Sequence, residues 1–374
     1  RKGNGSMTPG QIALRALIVG FIMSLVVITG FAYTTLLERK VLARLQVRVG
    51  PNRAGYIPFP RRGGKERKLL GGFLQPAADA VKLFLKEDPT PAMVDRSVYN
   101  LAPMLAVISA ILLLAVIPWA PAINILGVQF APYFAIAPSI NVGVLYILAV
   151  TSLGVYGVFL AGWASNSKYA VLGGIRASAQ MISYELALGL SLLIPIMLAD
   201  SMDLGQIVEA QRGGWFVFLQ PIAAAVFCIA ALAELQRHPF DLLEAEQELS
   251  AGFNVEYGGM RFGMFFMAEY MKMVILSALA AVFFFGGYLG PFVDQFPALG
   301  FFYMGIKIVF GLCLMIWVRA SWPRFRYDQL MSFGWKVLLP ISVLNFIVTA
   351  FFIVLYEEGV LQPIVDAVRR FFIG

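Results

Sequence analysis

AELQRHPFDLLEAEQELSAGFNVEY, residues 233–257, sets Glu234, Asp241, Glu244, Glu246, Glu248 and Glu256 against a single cation, Arg237. Both flanks, 217–233 and 262–285, are apolar enough to lie in a bilayer. A run of charge is most often a wet surface. Here the composition argues for something more ordered. Glu244 and Glu248 would share one face of a helix, a repulsive spacing, and Glu246 adds a third acid close by. Pro239 with Phe240, and Gly252 with Phe253, suit a buttressed segment better than a floppy one. Closely packed carboxylates titrate as a coupled set and hold protons at higher pH than isolated ones, which suits proton transfer beside a membrane. His238, the only histidine, has no second ligand nearby and reads as a polar loop residue.

Working outward, 59% of the residues are hydrophobic, against roughly 45–50% in soluble domains. Several apolar runs reach the roughly 20 residues that a helix needs to cross a bilayer. The chain therefore reads as an all-α integral membrane protein and one membrane domain, residues 1–374, with spans near 11–37, 98–118, 142–163, 178–198, 216–234, 262–285, 301–318 and 336–356. The first run is too long for a signal-peptide core and reads as a retained, tilted helix. The acidic connection occupies 235–261. Residues 73–85, FLQPAADAVKLFL, put Phe73, Ala77, Ala80, Val81 and Phe84 on one face and Asp79 and Lys82 on another. That pattern predicts an amphipathic helix lying on the membrane surface. Residues 119–141 carry no charge and several prolines, and are expected to rest on the outer surface.

The connections after the first, third, fifth and seventh spans hold twenty Lys and Arg, and the opposite set with both termini holds five. The positive-inside rule then puts the acidic connection and the surface helix on the cytoplasmic side of the plasma membrane, and both termini outside. The same bias accounts for the net charge of +7, so no nucleic-acid partner is called for. Cys228 and Cys313 fall in apolar runs and read as buried thiols, too few for a cluster or a structural zinc site. No Gly-rich phosphate cradle is present, so neither a nicotinamide site nor an electron carrier is expected on this chain.

Two acids lie inside predicted spans. Glu185 sits about 10 Å into the fourth by helical rise, with no cation in reach on its own helix. Such carboxylates usually line a cavity, and burial leaves them ready to exchange protons. Glu269 lies about two turns into the sixth span, with Lys272 at i+3 as a candidate partner.

ERKVLARLQVRVGPNRAG, LQPAADAVKLFLKED, SNSKYAVLGGIRASAQMISYEL, AELQRHPFDLLEAEQELSAGFNVEY and MAEYMKM together resemble the signature stretches of one family. It is the H subunit of bacterial NADH:quinone oxidoreductase (respiratory complex I), the family of mitochondrial NADH dehydrogenase subunit 1. The resemblance covers nearly the whole chain, in order. It implies a non-redox membrane subunit forming the membrane end of a quinone chamber and the first stretch of a proton path toward antiporter-like subunits. Quinone is then the substrate, and flavin and iron–sulfur clusters belong to partner subunits. Arg39, Asp79, Ala80 and Phe240 would border the quinone chamber or its entrance. Glu185, Glu234, Asp241, Glu244, Glu246, Glu248, Glu256 and Glu269 fall at the family's acidic positions. The implied partners are the redox-arm subunits at the cytoplasmic connections, small and antiporter-like membrane subunits alongside, and membrane lipid. The basic insertion 57–71, His238 in place of a common Thr, and Leu243 in place of Pro or Ala depart from the pattern. Rival readings are the equivalent subunit of a membrane-bound hydrogenase or other dehydrogenase, a passive anchor, and a secondary proton or cation transporter. The transporter should show inverted repeats, which are not evident.

Overall fold

The computed structural model describes residues 9–55, 57–59, 67–69, 71–125, 128–138, 140–241 and 252–358. Among these, seven helices are long and apolar enough to cross a membrane. They belong to α1 (Pro9–Leu45), α3 (Arg96–Leu113), α4 (Gly143–Ala164), α5 (Lys168–Ala199), α8 (Gly259–Phe284), α9 (Leu299–Ser321) and the continuous stretch of α10 (Tyr327–Phe333) and α11 (Leu339–Glu357) joined by the π-turn Gly334–Leu338. The amphipathic pattern over 73–85 forms α2 (Gln75–Leu85). A short helix, α6 (Leu204–Ala210), also packs on α8.

The span expected over 216–234 is not one helix. A single turn, Phe216–Leu219, breaks at Gln220, and α7 (Pro221–Glu234) follows with Pro221 at its first position. Pro lacks a backbone donor and suits a helix start. At 14 residues, α7 is about 21 Å long, short of the roughly 30 Å hydrocarbon core. Backbone freed at membrane depth must find partners inside the protein. The Gln220 amide donates to Phe216 O (2.8 Å), and its side chain donates to Thr349 Oγ1 on α11 (3.1 Å).

α8 is the spine. Most of its apolar window is buried, against a small minority for α1 and α11, whose outer faces expose Leu, Ile, Val and Phe. It packs on α1, α3 and α9, while α3, α4, α5 and α7 follow one another around it. Glycines allow the closest approach. A Cβ at Gly162 of α4 would lie 2.6 Å from the Ala170 carbonyl and 3.2 Å from Gly174 Cα on α5. Small residues at such crossings let helices pack without a hydrophobic drive between them in lipid.

Residues 119–141, expected as an outer-surface loop, contain an antiparallel hairpin, β3 (Ala120–Ile125) with β4 (Val128–Phe134). Its ladder satisfies backbone groups that could not stay bare beside lipid. Tyr133 Oη donates to Asp203 Oδ1 (2.5 Å), the acid that caps α6, and Phe134 meets Phe301 at 5.1 Å. The sequence reading missed these strands because prolines broke their alternation. A shorter pair, β1 (Ile57–Phe59) with β2 (Arg67–Leu69), lies in the basic insertion.

Candidate functional site

α1 is 37 residues long, or about 55 Å. It therefore carries Glu38 and Arg39 past the apolar core, to where α2, the residues after α7 and the end of α9 converge. Arg39 donates to Asp79 on α2 (2.7 Å), and Gln75 Nε2 donates to the other Asp79 oxygen (3.0 Å). Behind that pair, α1, α2 and the start of α8 enclose a cavity of about 460 Å³. Its walls are largely apolar, with Phe31, Ala80, Phe84, Phe262 and Met267, while Arg39, Asp79 and Lys82 supply its charged groups.

Arg39 and Phe266 also wall a second cavity of about 230 Å³, lined by Glu38, Arg237, Asp241, Glu269, Tyr270 and Arg319. The guanidinium of Arg237 organises it. Its NH1 lies 2.9 Å from both Glu38 oxygens, its Nε donates to Glu269 Oε1 (2.5 Å), and it stacks 4.3 Å from the Tyr270 ring centre. Arg319 donates to Glu38 from the other side. Burial alone would push the Arg237 pKa down, but Glu269, Tyr270 and Glu38 push it up and hold the group charged. Asp241, also buried, is approached by Arg324 and by His238 Nε2, each at 3.3 Å. Burial pushes the His238 pKa below its ordinary value. Asp241 opposes that shift, and Arg324, Arg319 and Arg237 reinforce it.

Gln236, Asp241, Phe266 and Glu269 in turn wall a third, smaller cavity of about 60 Å³ that ends on Glu234 and Lys272. Glu234 is 3% exposed, and among the described residues neither of its carboxylate oxygens has a hydrogen-bond partner. Glu185 is within electrostatic range of it and accepts hydrogen bonds from Thr151 (3.2 Å) and Ser152 of α4. Isolated buried charge is costly, so a chain of acids at this depth is an arrangement the fold must support actively.

The NADH dehydrogenase family matches residues 18–350. The chain belongs to that family. It is 50% identical over 318 residues (85% of this chain, 89% of the relative) to an NADH-quinone oxidoreductase H subunit, the second of that name, from Syntrophobacter fumaroxidans. It is 48% identical over 324 residues (87% and 93%) to the H subunit of the same enzyme from Protochlamydia amoebophila, and 46% over 338 residues (88% and 93%) to that from Thermomicrobium roseum.

In this member of the NADH dehydrogenase family, Arg39, Asp79 and Ala80 meet at the largest of the three cavities, and Glu234, Asp241 and Glu269 line the inner two. Glu185 lies one step beyond. Phe240 is buried between Tyr184 (5.6 Å) and Phe325 (5.8 Å) and is absent from the cavity walls; its carbonyl accepts from Gln180 Nε2 (2.9 Å). Glu256 lies in a separate cluster with Tyr99, Asp88 and Arg261, its carbonyl accepting from Tyr99 Oη (2.6 Å). Glu244, Glu246 and Glu248 lie outside the described residues. The expected pairing of Glu269 with Lys272 is replaced by Glu269 with Arg237. Sequence reasoning did not single out Glu38 or Arg319. The signal for Glu38 was an acid following directly on an apolar run, at the start of a basic stretch.

Proposed function

We propose that this chain is the membrane subunit of a proton-pumping NADH:quinone oxidoreductase, forming the membrane part of the quinone chamber and the start of the proton path to the antiporter-like subunits. The observation that supports this reading is a set of shared walls. The apolar cavity with its Arg39–Asp79 rim, the Glu38–Arg237–Glu269 cavity and the Glu234–Lys272 cavity adjoin through common residues. The outer cavity suits an apolar tail with a polar head, since pockets of this kind are mostly apolar with a few placed polar groups. Reduction of quinone takes up electrons from the redox-arm subunits and an equal number of protons. A change of charge beside Glu38, Asp241 and Glu269 shifts the proton affinity of neighbouring carboxylates. Because the cavities adjoin, that shift can pass along contiguous polar groups to Glu234 and then Glu185. The chain itself carries no electrons; it binds and orients quinone and moves protons. The redox arm docks at the cytoplasmic connections, the other membrane subunits and lipid flank the exposed apolar faces, and the whole sits in the plasma membrane with both termini outside.

The test is Glu185→Gln in the assembled complex reconstituted in liposomes. Quinone-linked proton pumping should fall on the order of a hundredfold, as when a proton-transferring group is lost. NADH oxidation by an artificial acceptor should be unchanged. Normal pumping would falsify the reading.

A further inference from the structure

The helical repeat makes Lys272 a neighbour of Glu269, three residues earlier on α8. The fold gives it other company. Glu269 is held by Arg237, while Lys272, only 8% exposed, reaches over Gly154 of α4. A Cβ at position 154 would meet Lys272 Nζ and lie 3.2 Å from Ser109 Oγ of α3, so the ammonium sits in the room left by the missing side chain of Gly154. The small cavity it lines also presents Glu234, Asp241 and Glu269. From α3, α4 and α5 the same cavity receives only uncharged residues, among them Ala106, Val158 and Met181.

Glu234 faces this cavity from α7 with both oxygens unpartnered among the described residues. The charges it senses are Lys272 and Glu185. Two opposite buried charges without a direct bond need solvent or a proton between them. The cavity, at about 60 Å³, has room for a few waters, each needing roughly 10–15 Å³.

We infer that Lys272 is a proton-relaying residue of this chain, passing a proton through cavity water to Glu234. The inference rests on the proton path proposed above and adds a basic group to a path otherwise made of acids. The step conserves charge and protons. The Lys272 ammonium gives up one proton and becomes a neutral amine; the Glu234 carboxylate takes it and becomes a neutral acid. Glu234 then passes the proton to the Glu185 carboxylate, and the amine regains one from the side of Asp241 and Glu269. One proton has moved inward from the side of Asp241 and Glu269 onto Glu185, and Lys272 and Glu234 are restored.

Lys272→Met, Lys272→Arg and Lys272→His, made in the complete complex in liposomes, test this. Arg keeps the charge but does not deprotonate, whereas His keeps a titratable nitrogen of lower pKa than Lys. A relay predicts that Met and Arg both lower quinone-linked pumping on the order of a hundredfold, with NADH oxidation by an artificial acceptor unchanged. His should restore part of the pumping, with the alkaline limb of the pH profile moved to lower pH. Wild-type pumping in the Arg or the Met variant overturns the inference, since a fixed counter-charge or filler then suffices. A His variant with an unshifted pH profile overturns it as well. Should Met fail to assemble, Arg and His still decide. Glu234→Gln, run in parallel, separates the two levels. Normal pumping there sinks the proton path itself, whereas loss there with normal pumping in Lys272→Arg sinks only the role of the lysine.

Discussion

Arg237 is the residue on which the polar cavity depends. It is 6% exposed and joins Glu38 from α1 to Glu269 from α8, elements far apart in sequence. A guanidinium can serve both because its planar fork presents several donors at once; an ammonium is a point charge. Removing one partner of a buried pair leaves the other charge stranded, at a cost of about 3–5 kcal/mol. Arg237→Ala should therefore lower the thermal midpoint of the purified complex, and Arg237→Lys should recover only part of the loss, as read by scanning fluorimetry. Equal midpoints for Arg237→Ala and the parent would show that the cluster is wet and the ion pairs idle. At this scale the sequence was partly legible. Acids inside or beside apolar runs announced Glu185, Glu234 and Glu269, because charge in lipid always calls for an explanation. Which cation meets which acid was not legible. The i+3 spacing favoured Lys272 for Glu269, and a residue from a different element took that place.

At the scale of elements, an amphipathic pattern identified α2 and apolar run length the long helices, and the structure keeps α2 as an amphipathic helix beside α1 and α8. Boundaries were less accurate. α1 runs on to Leu45 because Arg39, Lys40 and Arg44 are good helix formers once clear of lipid, and this extension brings Glu38 and Arg39 to the site. α7 begins only at Pro221 because proline at that point cannot continue a preceding helix. The contact between α4 and α5 gives a prediction. Gly162→Val adds atoms where the Ala170 carbonyl and Gly174 already sit within contact distance. Overpacking of this kind costs about 1–3 kcal/mol. The thermal midpoint and yield of the complex should drop, whereas Gly213→Ala, which meets nothing within 4 Å, should change neither. Identical behaviour of the two variants would mean that α4 and α5 part freely at this crossing.

For the whole molecule, the ion pairs sort the connections into two sets. Glu38, Arg237 and Arg319 join the connections after the first, fifth and seventh spans, and Arg212 with Asp294 joins two of the alternate ones. This sorting requires α7, despite its length, to take the chain from one side to the other. The positive-inside bias predicts that the first set faces the cytoplasm. In a background lacking Cys228 and Cys313, Gln295→Cys should react with a membrane-impermeant maleimide in intact spheroplasts, and Asp328→Cys only after permeabilisation. The reverse pattern would invert the topology.

Class, approximate spans and the acids Glu185, Glu234 and Glu269 followed from the chain alone, because a bilayer imposes length and charge rules that act on each segment separately. The partners of Arg237, the turn of Lys272 toward Glu234, the hairpin and the adjoining cavities came only with the tertiary structure. These depend on distances between segments remote in sequence, which no local pattern encodes.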